Sequence, residues 1–201
     1  MKATDKKAEQ NAALKNEIIA QSWAIIEESG WQALSIRRIA EAIEYSVPMI
    51  YKHFENKEAI LEHFIKTGFQ ALAERLASVL NPSAPATEQV QELAKAYWTF
   101  AASQTKHYEI MYGLGMPSCE AVNNVAEIKQ MSNVMMQAIQ AVGEEAGNGT
   151  IDHYLKVKTF WSMLHGFMAI ELFSHNQIQE APTATFRDAI DSFIFTLINK
   201  K

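Results

Sequence analysis

Apolar residues recur three and four positions apart along almost the whole of this 201-residue chain, and no stretch alternates apolar and polar as a half-buried strand does. That period restricts the chain to packed helices. Leu14, Ile18, Ile25 and Ile26 share one side of a first helix over 9–29, and Gly30 is placed to end it. Ser35 precedes the stripe Ile36, Ile39, Ala40 and Ile43, Ser46 precedes Ile50 and Phe54, and Asn56 opens a long segment to about Leu80; each is a side chain that caps helix starts. Asn-Pro-Ser-Ala-Pro at 81–85 is the clearest break. Beyond it, helices are expected over about 87–103, 106–112, 118–145, 150–174 and 183–199, the last with the stripe Phe186, Ile190, Phe193, Ile194 and Leu197. The expected fold is all-α, with about nine helices.

Composition narrows the function classes. Apolar residues make up 48%, enough for a buried core. One cysteine, Cys119, cannot form an internal disulfide, which fits a reducing compartment. The start MKATDKKAEQNAALKNE has no apolar region of a leader peptide, and no apolar run approaches a membrane span, so a cytoplasmic protein is expected. The net charge of −5 argues against a protein that coats nucleic acid. Residues 1–58 hold eight Lys and Arg against nine Asp and Glu, so any DNA contact must come from local placement of the bases.

The segment SIRRIAEAIEYSVPMIYKHF, residues 35–54, reads as two short helices about a tight turn at Glu44–Tyr45. In a helix-turn-helix the second of these enters the major groove. Val47, Pro48, Met49, Tyr51, Lys52 and His53 are its expected exposed positions, with Ile50 and Phe54 facing inward. Ser35 and Ser46 stand at helix starts that favour phosphate, Arg37, Lys52 and Lys57 can neutralise it, and Val47, Pro48 and Met49 can meet thymine methyls. Spacing alone leaves a plain helical hairpin with a solvated basic edge equally open.

The longer stretch WQALSIRRIAEAIEYSVPMIYKHFENKEAILEHF resembles the DNA-binding segment of the TetR family, through Ser35, Ile39-Ala40, Ser46, Ile50-Tyr51-x-x-Phe54 and Asn56-Lys57-Glu58. The resemblance implies phosphate contacts from Tyr51, Lys57 and the start of the second helix, and base contacts from the start of the third. Two departures stand out: Glu44-Tyr45 where the family has Gly-Val, and Val47 where a basic residue is usual. More weakly, FAASQTKHYEIMYG (100–113) and Trp161-x-x-x-His165-Gly166 resemble the TetR C-terminal domain named for its Trp-His-Gly motif. The implied organisation is a three-helix DNA-binding domain over 1–56 and a helical-bundle ligand-binding and dimerisation domain over 57–201. The implied partners are double-stranded operator DNA, a second copy of the chain and a small apolar or aromatic effector, and no cofactor or metal is expected.

Tyr108, Tyr112, Met135, Trp161 and His165 are the candidate ligand residues, with Tyr97, Trp98 and Met131 as further aromatic and thioether side chains that serve a pocket or an ordinary core equally well. For His165 the plainer reading is a core histidine satisfied by a neighbour, with Gly166 allowing close helix approach. Glu171 and His175, one turn apart, are a solvated or ligand-edge pair rather than a metal site, and Cys119 is a small core residue. The 150–174 helix is apolar around much of its circumference, through Tyr154, Phe160, Trp161, Phe167 and Phe173, which calls for cover on more than one side. A ligand-released repressor is the leading reading; a helical-bundle enzyme or a protein-interaction module is the alternative. No nucleophile and base stand at usable spacing, and no phosphate loop is present in the sequence.

Overall fold

The computed structural model describes residues 3–113, 126–175 and 178–199, and within them the fold is all-α. The chain divides into two compact units, residues 1–64 and 65–201.

The first unit holds α1 (Ala3–Ser29), a 3-10 turn (Trp31–Ala33), α2 (Ile36–Ala42), α3 (Val47–Tyr51) and the opening of α4 (Lys57–Ser78). Helix α1 begins at residue 3, six residues before the start expected from its apolar stripe. Residues 5–13 are exposed and mostly polar, so burial gives no periodic signal there; their Ala, Lys, Gln and Glu are good helix formers all the same. Gly30 ends α1 at φ 78°, its N–H donating to the Ile26 carbonyl at 2.9 Å. Ile18, Ile26, Leu34, Ile39, Ile50 and Ile60 are sealed from solvent and form the core that holds the short helices in place. Each such side chain contributes roughly 1.5–3 kcal/mol relative to leaving it exposed. Helices of seven and five residues, like α2 and α3, have no stability of their own and depend on that packing.

The second unit contains the rest of α4, then α5 (Ala86–Ser103), α6 (Thr105–Met111), α7 (Ala126–Glu145), α8 (His153–His175) and α9 (Ala184–Ile198). Helix α5 is the central strut, packed against α7, α8 and α9 and buried around most of its circumference. Its first free N–H, on Ala86, donates to both carboxylate oxygens of Glu145 at 3.1 Å, so the end of α7 caps the start of α5. Trp98 on α5 donates to the Gln179 carbonyl at 2.7 Å, which fixes the segment leading into α9. A Cβ on Gly68 would come within 2.6 Å of the Met111 sulfur, so a larger residue there would require the Met111 side chain to shift.

Helix α8 starts at His153, later than the expected Thr150. Thr150 instead donates its hydroxyl to the Asn148 side chain at 2.8 Å, and Asp152 caps the helix by accepting from the Leu155 N–H at 3.0 Å. Val157, Phe160, Leu164 and Met168 form its buried stripe. Tyr154, Leu155, Ile170 and Phe173 on α8, with Phe195 and Ile198 on α9, lie exposed; Phe173 reaches 80%. The expected helix over 118–125, Cys119 and the side chain of His175 lie outside the described residues. No described helix is long and apolar enough to cross a membrane.

Candidate functional site

The first candidate site is the α2–turn–α3 segment. Ser35 caps α2, its hydroxyl accepting from the Arg38 N–H at 3.2 Å. The helix closes on a two-bond motif, with Tyr45 N–H donating to the Ala40 carbonyl at 3.0 Å and Glu44 N–H to the Glu41 carbonyl at 3.4 Å. That closure needs a left-handed residue between them, and Glu44 supplies it at φ 58°. A side chain in that conformation costs roughly 1 kcal/mol, so packing of the helices on either side enforces the turn.

The turn delivers α3 with Ile50 fully buried and Phe54 nearly so. Pro48 sits in the first turn of α3, where its missing N–H breaks no intrahelical bond. Ser46 stands at the start of α3 with no capping hydrogen bond from its side chain, so its hydroxyl is not committed to the helix. Pro48, Tyr51 and Lys52 are exposed, Tyr51 by 52%. Val47, Met49 and His53, expected to be exposed, are half-buried, because a helix this short turns much of its surface toward α2. Met49 still reaches the outer face, where its sulfur lies 3.2 Å from the Lys52 ammonium.

The cations are not equivalent. Arg37 is exposed and paired with Glu41 at 2.8 Å, while Arg38 bonds to Glu28 and Ser29, both at 3.2 Å, and so ties α2 to α1. Lys57 opens α4 beside its cap, Asn56, whose side-chain oxygen accepts from the Ala59 N–H at 2.8 Å. The Lys57 ammonium lies 4.9 Å from the centre of the Trp31 ring, which limits its search without neutralising it. Trp31 was not singled out by sequence reasoning; only its nearness to the cap Ser35 hints at it.

The second candidate site is a run of aromatic side chains within the second unit. Trp161 Nε1 donates to the Tyr112 hydroxyl at 2.9 Å. Tyr112 and Tyr97 share a hydrogen bond of 2.7 Å, Tyr97 and Tyr108 one of 3.1 Å, and Tyr108 and His165 Nδ1 one of 2.7 Å. The His165 ring stacks on Tyr112 with centroids 4.2 Å apart and an interplanar angle of 23°. Burial pushes Tyr97, Tyr108 and Tyr112 well above the ordinary phenol range, and burial also lowers the pKa of His165.

Two family models match this sequence: one described as "Bacterial regulatory proteins, tetR family", over residues 18–64, and one described as "Tetracyclin repressor-like, C-terminal domain", over 90–193, more than half of the chain. The chain belongs to the TetR family. It is a DNA-binding transcriptional regulator and not an enzyme. Solved structures share the fold at low identity. A protein with unknown function from Rhodococcus sp. RHA1 is 21% identical with a TM-score of 0.74, over 92% of this chain and 96% of that one. A bacterial regulatory protein in the TetR family from Rhodococcus RHA1 is 19% identical with a TM-score of 0.65, over 91% and 96%. The fatty acid degradation regulator FadR from Bacillus halodurans is 16% identical with a TM-score of 0.67, over 92% and 94%. No curated protein matches the sequence.

In this TetR-family chain the five expected ligand residues do not behave alike. Tyr108, Tyr112, Trp161 and His165 come together in the aromatic run, and Met135 is fully buried on α7 without a polar role. Tyr97 was missing from that set although it stands at the centre of the run. The signal available for it was its place on α5, eleven residues before Tyr108, which no local period connects. Gly166 does not serve close packing, because a Cβ there meets nothing within 4 Å among the described residues. Among the grooves of this unit, one of about 350 Å³ lies between α5 and α9 and one of about 400 Å³ along α4, α5 and α6, and none of the five lines either. Glu171 has one carboxylate oxygen that is buried and makes no hydrogen bond among the described residues.

Proposed function

We propose that the protein acts as a homodimer that represses transcription from a two-fold operator and is released by a small, largely apolar effector, in the cytoplasm. Residues 1–56 form the reading head and residues 57–201 the sensing and dimerising part. The observation that carries the reading is the outward face of α3, where Pro48, Tyr51 and Lys52 are exposed beside Ser46, which makes no capping bond, and Lys57, which has no ion pair among the described residues. Ser35, Arg37, Ser46, Tyr51, Lys52 and Lys57 serve phosphates, while Val47, Pro48, Met49 and His53 meet base edges. Val47 in place of a basic residue makes the base contacts largely apolar, with thymine methyls as the fitting partners.

The exposed apolar face formed by Tyr154, Leu155, Ile170, Phe173, Phe195 and Ile198 supports the dimer. Family members bind operator DNA as dimers, and two heads read successive major grooves only about 34–36 Å apart. An effector that prefers one spacing shifts the equilibrium by its differential affinity. Helix α4, which runs through the division between the two units, is the chain's own route for that change. Tyr108, Tyr112, Met135, Trp161 and His165, joined by Tyr97, form the effector site.

The test is to select bound DNA from a random pool and measure affinity for it across a salt series. Lys57→Ala is expected to weaken binding to all sequences and to reduce the salt slope by about one. Unchanged affinity and slope would overturn the docking model.

A further inference from the structure

The hydrogens in the aromatic run can be assigned. Trp161 Nε1 only donates, so the Tyr112 oxygen accepts from it. Each of the three phenols owns one hydrogen and stands between two neighbours. With Tyr112 donating to Tyr97, Tyr97 to Tyr108 and Tyr108 to His165 Nδ1, four hydrogens fill four contacts. If Nδ1 carried a hydrogen, the run would reverse. Tyr97 would then donate to Tyr112, and the hydrogen of Tyr112 would have no acceptor among the described residues. A buried donor without an acceptor disfavours that arrangement by roughly tenfold or more. Nδ1 therefore accepts, and the imidazole is neutral with its hydrogen on Nε2.

Nε2 makes no hydrogen bond among the described residues, and the His165 side chain is half-buried rather than sealed. Its N–H is therefore left for an acceptor that the described residues do not supply. Among the described residues no lysine or arginine bonds to any of the five members of the run or lies over their rings.

We infer that His165 offers the effector a single uncharged N–H, and that the effector carries a neutral carbonyl oxygen, of a ketone, ester or amide, on an apolar body. This deepens the proposed effector site and rests on it. A hydrocarbon leaves the N–H unpaired. A carboxylate brings a charge that no cation meets, and it favours the imidazolium that the run of hydroxyls rejects. An ammonium group sets a donor against a donor.

The test uses the full-length protein with histidine labelled in 15N. Spectra at pH 7 without ligand are expected to show the Nε2–H tautomer for His165; an Nδ1–H tautomer or an imidazolium would overturn the inference. Three probes of one shape then separate the ligand classes: 2-acetonaphthone, 2-ethylnaphthalene and 2-naphthoate. The ketone is expected to bind roughly tenfold more tightly than the other two and to move the His165 Nε2–H signal. In His165→Phe that advantage is expected to vanish while the hydrocarbon still binds. Equal or tighter binding of the hydrocarbon or the carboxylate, or no binding of the ketone, would overturn the carbonyl assignment and leave the effector site standing. Probe binding that leaves both ring-nitrogen signals of His165 unmoved would remove the site itself.

Discussion

Replacing Tyr97 by phenylalanine tests the aromatic run at its centre. The substitution keeps the ring and deletes one oxygen that is sealed from solvent. Two hydrogen bonds are lost, at 2.7 Å to Tyr112 and 3.1 Å to Tyr108. Tyr108 can still donate to His165, but the hydrogen of Tyr112 is stranded. Two neutral hydrogen bonds at about 1 kcal/mol each, with the stranded donor as part of that loss, give a net destabilisation of about 2 kcal/mol. For a chain of this size that corresponds to a fall in Tm of about 4–8 °C. Urea unfolding and thermal scans at one fixed protein concentration measure it, since a dimer's stability depends on concentration. Tyr51→Phe is the control: its ring is 52% exposed, and a change within about 0.5 kcal/mol is expected. The pair Tyr97→Phe and Tyr112→Phe should be non-additive, because the second change removes the donor stranded by the first. A loss below about 0.5 kcal/mol for Tyr97→Phe, or a strictly additive pair, would refute the argument.

Four further outcomes are expected. Burial lowers the His165 pKa, so the unfolded chain binds the proton more readily; stability should fall as pH drops below about 6.5, and His165→Phe should flatten that fall in Tm measured between pH 8 and 5.5. Burial raises the three phenols, so their contribution is present below about pH 10 and is lost above it; substituting any one of them by Phe should leave unchanged the phenolate absorbance that develops before unfolding. Glu44→Gly relieves the left-handed strain but frees the unfolded chain, so stability should rise by no more than about 1 kcal/mol with operator binding retained; a loss of several kcal/mol would show that the Glu44 side chain holds the turn by contacts of its own. Phe173→Glu combined with Phe195→Glu should reduce the mass seen by light scattering to the 22.6 kDa of one chain, and an unchanged dimer would place the interface elsewhere.

The all-α fold and the reading head were legible because their causes are local. A period near 3.6, caps such as Ser35, Asn56 and Thr183, and the break at 81–85 act within a few residues of one another. The turn at Glu44–Tyr45 was legible in the same way, while the left-handed conformation of Glu44 is seen only in the structure. Helix starts were legible only where burial marks them, so the exposed opening of α1 went unseen, and a local polar bond displaced the start of α8. Exposure within α3 depended on its packing against α2, which no pattern of five residues contains. The aromatic run belongs wholly to tertiary structure. Its members stand on α5, α6 and α8 and at the end of α6, with bonded partners as far as 57 residues apart, and they meet because α5 is the strut on which those helices pack. A hydroxyl's partner is set by distance and direction in space. Sequence supplies the donors and acceptors, and only the fold decides which way each hydrogen points.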